Sequence, residues 1–100
     1  MTAEPNYRGK PWQRFRLTIL KRDLWTCQMC SVLLTSGRSH RRAAVVDHLI
    51  PARLRPDLFL AEDNPRAVCK TCHDGPCKSI EVSHGEDTEA VMAAKLAWHS

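Results

Sequence analysis

Two cysteine pairs, Cys27-x-x-Cys30 and Cys69-x-x-Cys72, constrain this chain more than any other feature. Two intervening residues let a tight turn present both sulfurs to one ion. Two such pairs close a tetrahedral zinc site with no open position. A site of that kind contributes folding energy rather than catalysis. Ordinary zinc ribbons separate their pairs by about 15–20 residues. Here the 38 residues 31–68 lie between them. The chain must leave the clamp, make a long excursion and return to the same ion, so the clamp is expected to pin a hairpin. One hundred residues bury only a small core, and chains of this size often lean on a metal. The fifth cysteine, Cys77, reads as a spare thiol.

The excursion carries Val45-Val46-Asp47-His48-Leu49-Ile50-Pro51. A β-branched run delivers two adjacent polar residues and a proline stops it. Neighbouring side chains on a strand point to opposite faces, so Asp47 and His48 can do different jobs from one stretch of backbone. Asp47 and His73 offer one oxygen and one nitrogen, a set that suits magnesium, manganese or a transition ion such as nickel or zinc. Such an ion needs few protein ligands when it activates phosphodiester cleavage, because phosphate oxygens and water take the open positions. His48 is then free as a general base, with an ordinary pKa near the working pH. Asn64 can steady it by hydrogen-bonding backbone across the loop. Each residue also has a plainer reading: a buried strand histidine, a histidine behind the zinc, a turn residue before proline. Their joint order inside the cysteine clamp favours the chemical one.

Around this centre the pattern predicts an α+β chain. Residues 11–22 carry apolar Trp12, Phe15, Ile19 and Leu20 at helical spacing, with Pro11 suited to the first turn and Gln13, Arg14, Arg16, Lys21 and Arg22 elsewhere. The aromatics share the buried stripe and are expected in the core. Residues 31–42 read as a loop with a short strand at 32–34, residues 43–47 as a strand, and 51–63 as a loop with one helical turn. A second strand is expected over 64–69 and a helix from Lys70 to Asp74. Gly75-Pro76 is expected to end or bend that helix, and 81–87 to form an acidic connector. Residues 88–99 predict a last helix capped by Asp87 or Thr88, with Val91, Ala94 and Trp98 on its inner face. His40 and His84 read as solvated histidines.

Charge is uneven. Residues 1–56 hold 11 Lys and Arg against 3 Asp and Glu, and residues 57–100 hold 4 against 8. The basic half suits a polyanion, most simply nucleic acid, or a solvated surface. No run is long enough to span a bilayer, and residues 1–5 lack the apolar core of a secretory leader. A reducing cytoplasm is therefore expected, where cysteines at this spacing bind metal rather than pair with each other.

The order Cys27-x-x-Cys30, Asp47-His48-x-x-Pro51, Asn64, Cys69-x-x-Cys72-His73 resembles the HNH endonucleases, the His-Me finger family. The likeness runs from about Trp12 to Lys78 and is strongest to the small stand-alone proteins of tailed bacteriophages. It implies a zinc-stabilised ββα-metal domain over 11–80, after a flexible leader (1–10) and before the connector and C-terminal helix (81–100). It implies a metal-dependent cut or nick in DNA, with His48 as base, Asp47 and His73 on the metal, and Asn64 fixing the loop. Cys27, Cys30, Cys69 and Cys72 would be the structural zinc ligands. Arg53, Arg55, Arg66 and Lys78 are expected to hold phosphate. Some phage relatives act with terminase in genome packaging, so terminase is an implied partner. A non-catalytic zinc-clamped DNA-binding or packaging adaptor is the alternative. Two departures stand out. Relatives often continue Cys-His-x-x-Lys-Thr, whereas here Asp74-Gly75-Pro76-Cys77-Lys78 follows His73, and Pro65 replaces a common apolar residue.

Overall fold

A computed structural model describes residues 6–98. Helix α1 (Lys10–Arg22) starts on Gly9 with Pro11 in its first turn, as an N–H without a helical partner is no loss there. Its stripe buries Trp12, Ile19 and Leu20, while Lys21 and Arg22 sit at the negative end of the helix dipole. Arg22 reaches the backbone oxygens of Glu62 and Pro65, and Asp23 accepts from the Ala67 amide at 2.8 Å. The end of α1 is thereby tied to the second strand.

Leu24, Trp25 and Ser31 adopt positive φ (57°, 49° and 68°) and fold the chain tightly around Cys27 and Cys30. The strand expected at 32–34 is reduced to single bridges, Thr26 to Leu33 and Thr35 to Ala43. Strands β1 (Ala44–His48) and β2 (Pro65–Cys69) pair antiparallel, with Ala44 opposite Cys69 and His48 opposite Pro65. Between them the loop contains one 3-10 turn, Pro56–Leu58. Pro65 heads β2, where its missing N–H costs the ladder little. The core gathers α1, both strands and the cysteines, with Ile19, Leu20, Ala67 and Val68 at its centre.

After Cys69 the chain departs from expectation. Helix α2 (Lys70–Cys72) does not stop at Gly75-Pro76: it widens into a π turn (His73–Cys77) and continues as α3 (Lys78–His84). A proline in a regular helix lacks a donor and strikes the carbonyl four residues back. The wider π turn moves that carbonyl away, and such turns occur often at functional sites. The connector expected over 81–87 is therefore helical as far as His84. Gly85, at φ 58°, turns the chain, and Asp87 caps α4 (Thr88–Ala97) by accepting from the Ala90 amide. Val91 is buried as expected, but the other fully buried residue of α4 is Lys95. His99, expected in this helix, and residues 1–5 of the expected leader lie outside the described residues. Among those described, no helix is long and apolar enough to cross a membrane.

Candidate metal centre and catalytic cleft

At one end of the hairpin the sulfurs of Cys27, Cys30, Cys69 and Cys72 lie within 4.8 Å of one another. A zinc ion with Zn–S bonds near 2.3 Å requires sulfur–sulfur edges of about 3.8 Å. Cys30 Sγ and Cys69 Sγ are 3.7 Å apart. The amides of Cys30 and Cys72 each donate to the first sulfur of their pair at 3.4 Å, so both knuckles share one geometry. Burial first, and then the neighbouring sulfurs, push the Cys72 thiol far up, and burial also raises Cys30. Cys27 goes the other way: burial raises it, but backbone amides led by that of Cys30 outweigh this and lower it. Sulfurs this close repel one another once ionised, and a central divalent cation supplies the compensating charge. The four residues fit zinc.

A cleft of about 520 Å³ runs along β1 from Ala44 to His48, and its lining also includes Trp12, Arg16, His73 and Glu81. His48 leaves β1 toward α1 and lies 5.6 Å from Trp12 and 5.7 Å from Phe59, ring centre to ring centre. Its Nε2 is 3.0 Å from the Phe59 carbonyl oxygen. That oxygen can only accept, so Nε2 carries the proton and Nδ1 keeps its lone pair. Burial lowers the His48 pKa below its ordinary 6.5, against the Phe59 bond and Asp47, which raise it.

Asn64 is buried and closes the loop on Ile50. Its Oδ1 accepts from the Ile50 amide and its Nδ2 donates to the Ile50 oxygen, both at 3.0 Å. A third bond runs from the Leu49 amide to the Asn64 oxygen at 2.8 Å. The residues just beyond His48 are thus held from three points. His73 sits on the π turn with Nδ1 3.2 Å from an Asp74 carboxylate oxygen. Lys70 first, then His73, hold that carboxyl below its usual range. With Nδ1 donating to Asp74, the Nε2 lone pair is left for a ligand.

Asp47 is buried on the lining of the same cleft, and its carboxylate reaches α4. Lys95 Nζ lies 3.3 and 3.2 Å from its two oxygens. Cys77 Sγ is 3.6 Å from Oδ2, and burial pushes that thiol up to about 12, so the spare cysteine is a neutral, buried neighbour of Asp47. Two carboxylate oxygens offer about four lone-pair sites. Asp47 retains acceptor capacity beyond Lys95 and lines the cleft with His73, and a carboxylate oxygen and an imidazole nitrogen are donors of the kind a divalent ion takes.

Of the four basic residues expected to hold phosphate, Arg53 lines the cleft. Arg55 is exposed and paired with Asp57, and Lys78 faces Asp74 at 3.8 Å. Arg66 turns to the end of α4, where it donates to the Lys95 backbone oxygen at 3.0 Å. Arg16, from the basic side of α1, also lines the cleft and donates to the Ala44 oxygen at 2.9 Å. The sequence reading missed Lys95, Glu81 and the Phe59 carbonyl. Lys95 left a trace, since it follows Val91 by four residues and so falls on the buried stripe of α4. A backbone carbonyl leaves none.

No family model matches the sequence, and no curated protein matches it. Among solved structures the chain is similar to the HNH endonuclease of the deep-sea thermophilic bacteriophage GVE2, crystallised with a manganese ion. The two share 25% identity at a TM-score of 0.63, over 79% of this chain and 82% of that one. The likeness is one of overall fold, which in this chain is an α+β architecture, a two-stranded sheet with flanking helices, with a cysteine cluster that could hold zinc.

Proposed function

From its resemblance to the HNH endonucleases, we propose that this chain is a metal-dependent DNA endonuclease. What supports the reading most is one arrangement: Asp47, His48 and His73 line the same cleft, and His48 has Nε2 occupied while Nδ1 is free. In this reading His48 Nδ1 takes a proton from water as the water oxygen attacks phosphorus. The new P–O bond forms in line with the breaking bond to the 3′ oxygen, and the product keeps a 5′ phosphate. The Phe59 carbonyl accepts from the developing imidazolium and so holds the ring while its charge grows. Asn64 steadies the backbone behind it. Asp47 and His73 would hold a divalent ion, magnesium, manganese or nickel among them, which supplies Lewis acidity to the phosphate. Arg53 and Arg16 contribute positive charge to the phosphate approach. The cysteine cluster takes zinc and has no part in the reaction. A place beside terminase in phage genome packaging is the outermost step of the proposal, and co-purification with terminase subunits tests it.

The core test is plasmid cleavage with magnesium, manganese or nickel, comparing the native chain with His48→Ala. Loss of a general base lowers rates by about 10²–10⁴-fold. Cleavage undiminished in His48→Ala removes His48 from its role. A native chain that binds DNA but is made to cut by none of these metals is the zinc-clamped adaptor instead.

A further inference from the structure

Lys95 has none of its surface exposed. Lysine is almost never fully buried unless its charge is paired. Here its three N–H donors meet three groups: the Asp47 carboxylate, the His48 backbone oxygen at 2.7 Å and Glu81 Oε2 at 2.9 Å. α4 supplies the lysine, α3 the glutamate, and β1 both remaining acceptors. The ammonium therefore grips the last two residues of β1, the ones that carry the carboxylate and the base. Cys77 also reaches Asp47 but is neutral.

Resting on the nuclease reading, we infer that Lys95 and Glu81 are a charge-balancing pair that positions Asp47 and sets its affinity for a divalent cation. The charge count carries the inference. Lys95 alone would cancel the single charge of Asp47 and repel an incoming cation. Glu81 on the same ammonium restores that charge, so the three groups together present what Asp47 would present alone. Lys95 can then orient Asp47 without weakening it as a ligand. Both act through Asp47 as positioning residues. The helical extension past Gly75-Pro76 gains a purpose here, because a chain that broke there could not bring Glu81 to Lys95.

The test uses the full zinc-loaded chain and Mn²⁺ alone, with binding read from the loss of the free-ion paramagnetic resonance signal. Mn²⁺ prefers oxygen and leaves the tetrathiolate site to zinc. Thermal unfolding without Mn²⁺ reports whether each variant folds. Removing one charge next to the ligand changes affinity by about tenfold or more: Glu81→Gln binds more weakly and Lys95→Met more tightly. The double variant Lys95→Met/Glu81→Gln returns close to native. Two weakened single variants and a double at least as weak would reduce the pair to packing. A double variant as weak as Glu81→Gln would make Glu81 itself a ligand. Either result overturns the inference. Should Lys95→Met not fold, Glu81→Gln and the double variant decide between the same outcomes. A native chain that takes up no Mn²⁺ overturns the nuclease reading and this one with it. A native chain that binds Mn²⁺ and cuts, with variants lacking the opposite signs, overturns this one alone.

Discussion

The two ends of the β1–β2 hairpin answer one need, holding charge in a small core, in opposite ways. At the Ala44–Cys69 end four sulfurs converge with no cation from the protein, so the site depends on an outside ion. At the other end Asp47 already has an internal cation, Lys95. The first end is assembled from two short-range turns with repeating geometry. The second draws on α1, the long loop, α3 and α4 at once. On the proposed nuclease reading, the contrast separates an ion that completes the fold from one that is presented to a substrate. A tetrathiolate without zinc has nothing to hold its ligands together, whereas a site with its own ammonium stays ordered while keeping lone pairs open.

The largest expected effect lies at the sulfur end. Cys27→Ser, or zinc removal by a chelator, should unfold the whole domain, because metal binding on the order of 10 kcal/mol is folding energy in small zinc domains. Circular dichroism checks it, and a folded, zinc-loaded Cys27→Ser chain would show that the ligands are wrong. At the cleft end the losses should be graded. Asn64→Ala strands the Ile50 amide and carbonyl and should cost about 1–3 kcal/mol of stability. It should also slow cleavage beyond what that loss explains, by freeing the loop behind His48. A drop in stability with unchanged cleavage would leave Asn64 a turn residue.

Proton uptake at His48 should move the cleft end below pH 6.5. Burial holds the His48 pKa below 6.5 in the folded chain, so the unfolded chain takes up the proton first. The stability that neutral His48 contributes is present above pH 6.5 and lost as the pH falls through the folded value. Cleavage should follow the same limb, already full at neutral pH, and an acid limb above 6.5 would deny the burial effect. The smallest effect separates two arginines. Arg53→Ala should weaken DNA binding and lower its salt slope by about 1, as for a lost phosphate contact. Arg55→Ala, on an exposed residue paired with Asp57, should leave both unchanged. Salt-dependent titration of a DNA duplex distinguishes the two.

The unequal legibility of the two ends has a physical cause. Cys27-x-x-Cys30 and Cys69-x-x-Cys72 each declare themselves over four residues, because a thiolate pair on a tight turn needs nothing distant. Helix α1 was readable from its apolar spacing, and β1 from its β-branched run. Gly75-Pro76 misled because proline is a helix breaker under α-helical hydrogen bonding, and only packing of α3 onto α4 selects the wider turn that accommodates it. Lys95 misled because charge normally marks a solvated face, and burial reverses that rule only when acceptors arrive from elsewhere.

By itself the sequence determined the clamp, the hairpin between its halves, and the adjacency of Asp47 and His48 on one strand. These depend on spacing within a few residues and on the two-residue period of a strand. Only the tertiary structure decided that the Phe59 carbonyl chooses the tautomer of His48, that Asn64 locks onto Ile50, and that Lys95 and Glu81 meet at Asp47. Those contacts join residues 11 to 48 positions apart in the chain. No local propensity encodes them, because each exists only where separate elements pack together and bury the groups they bring.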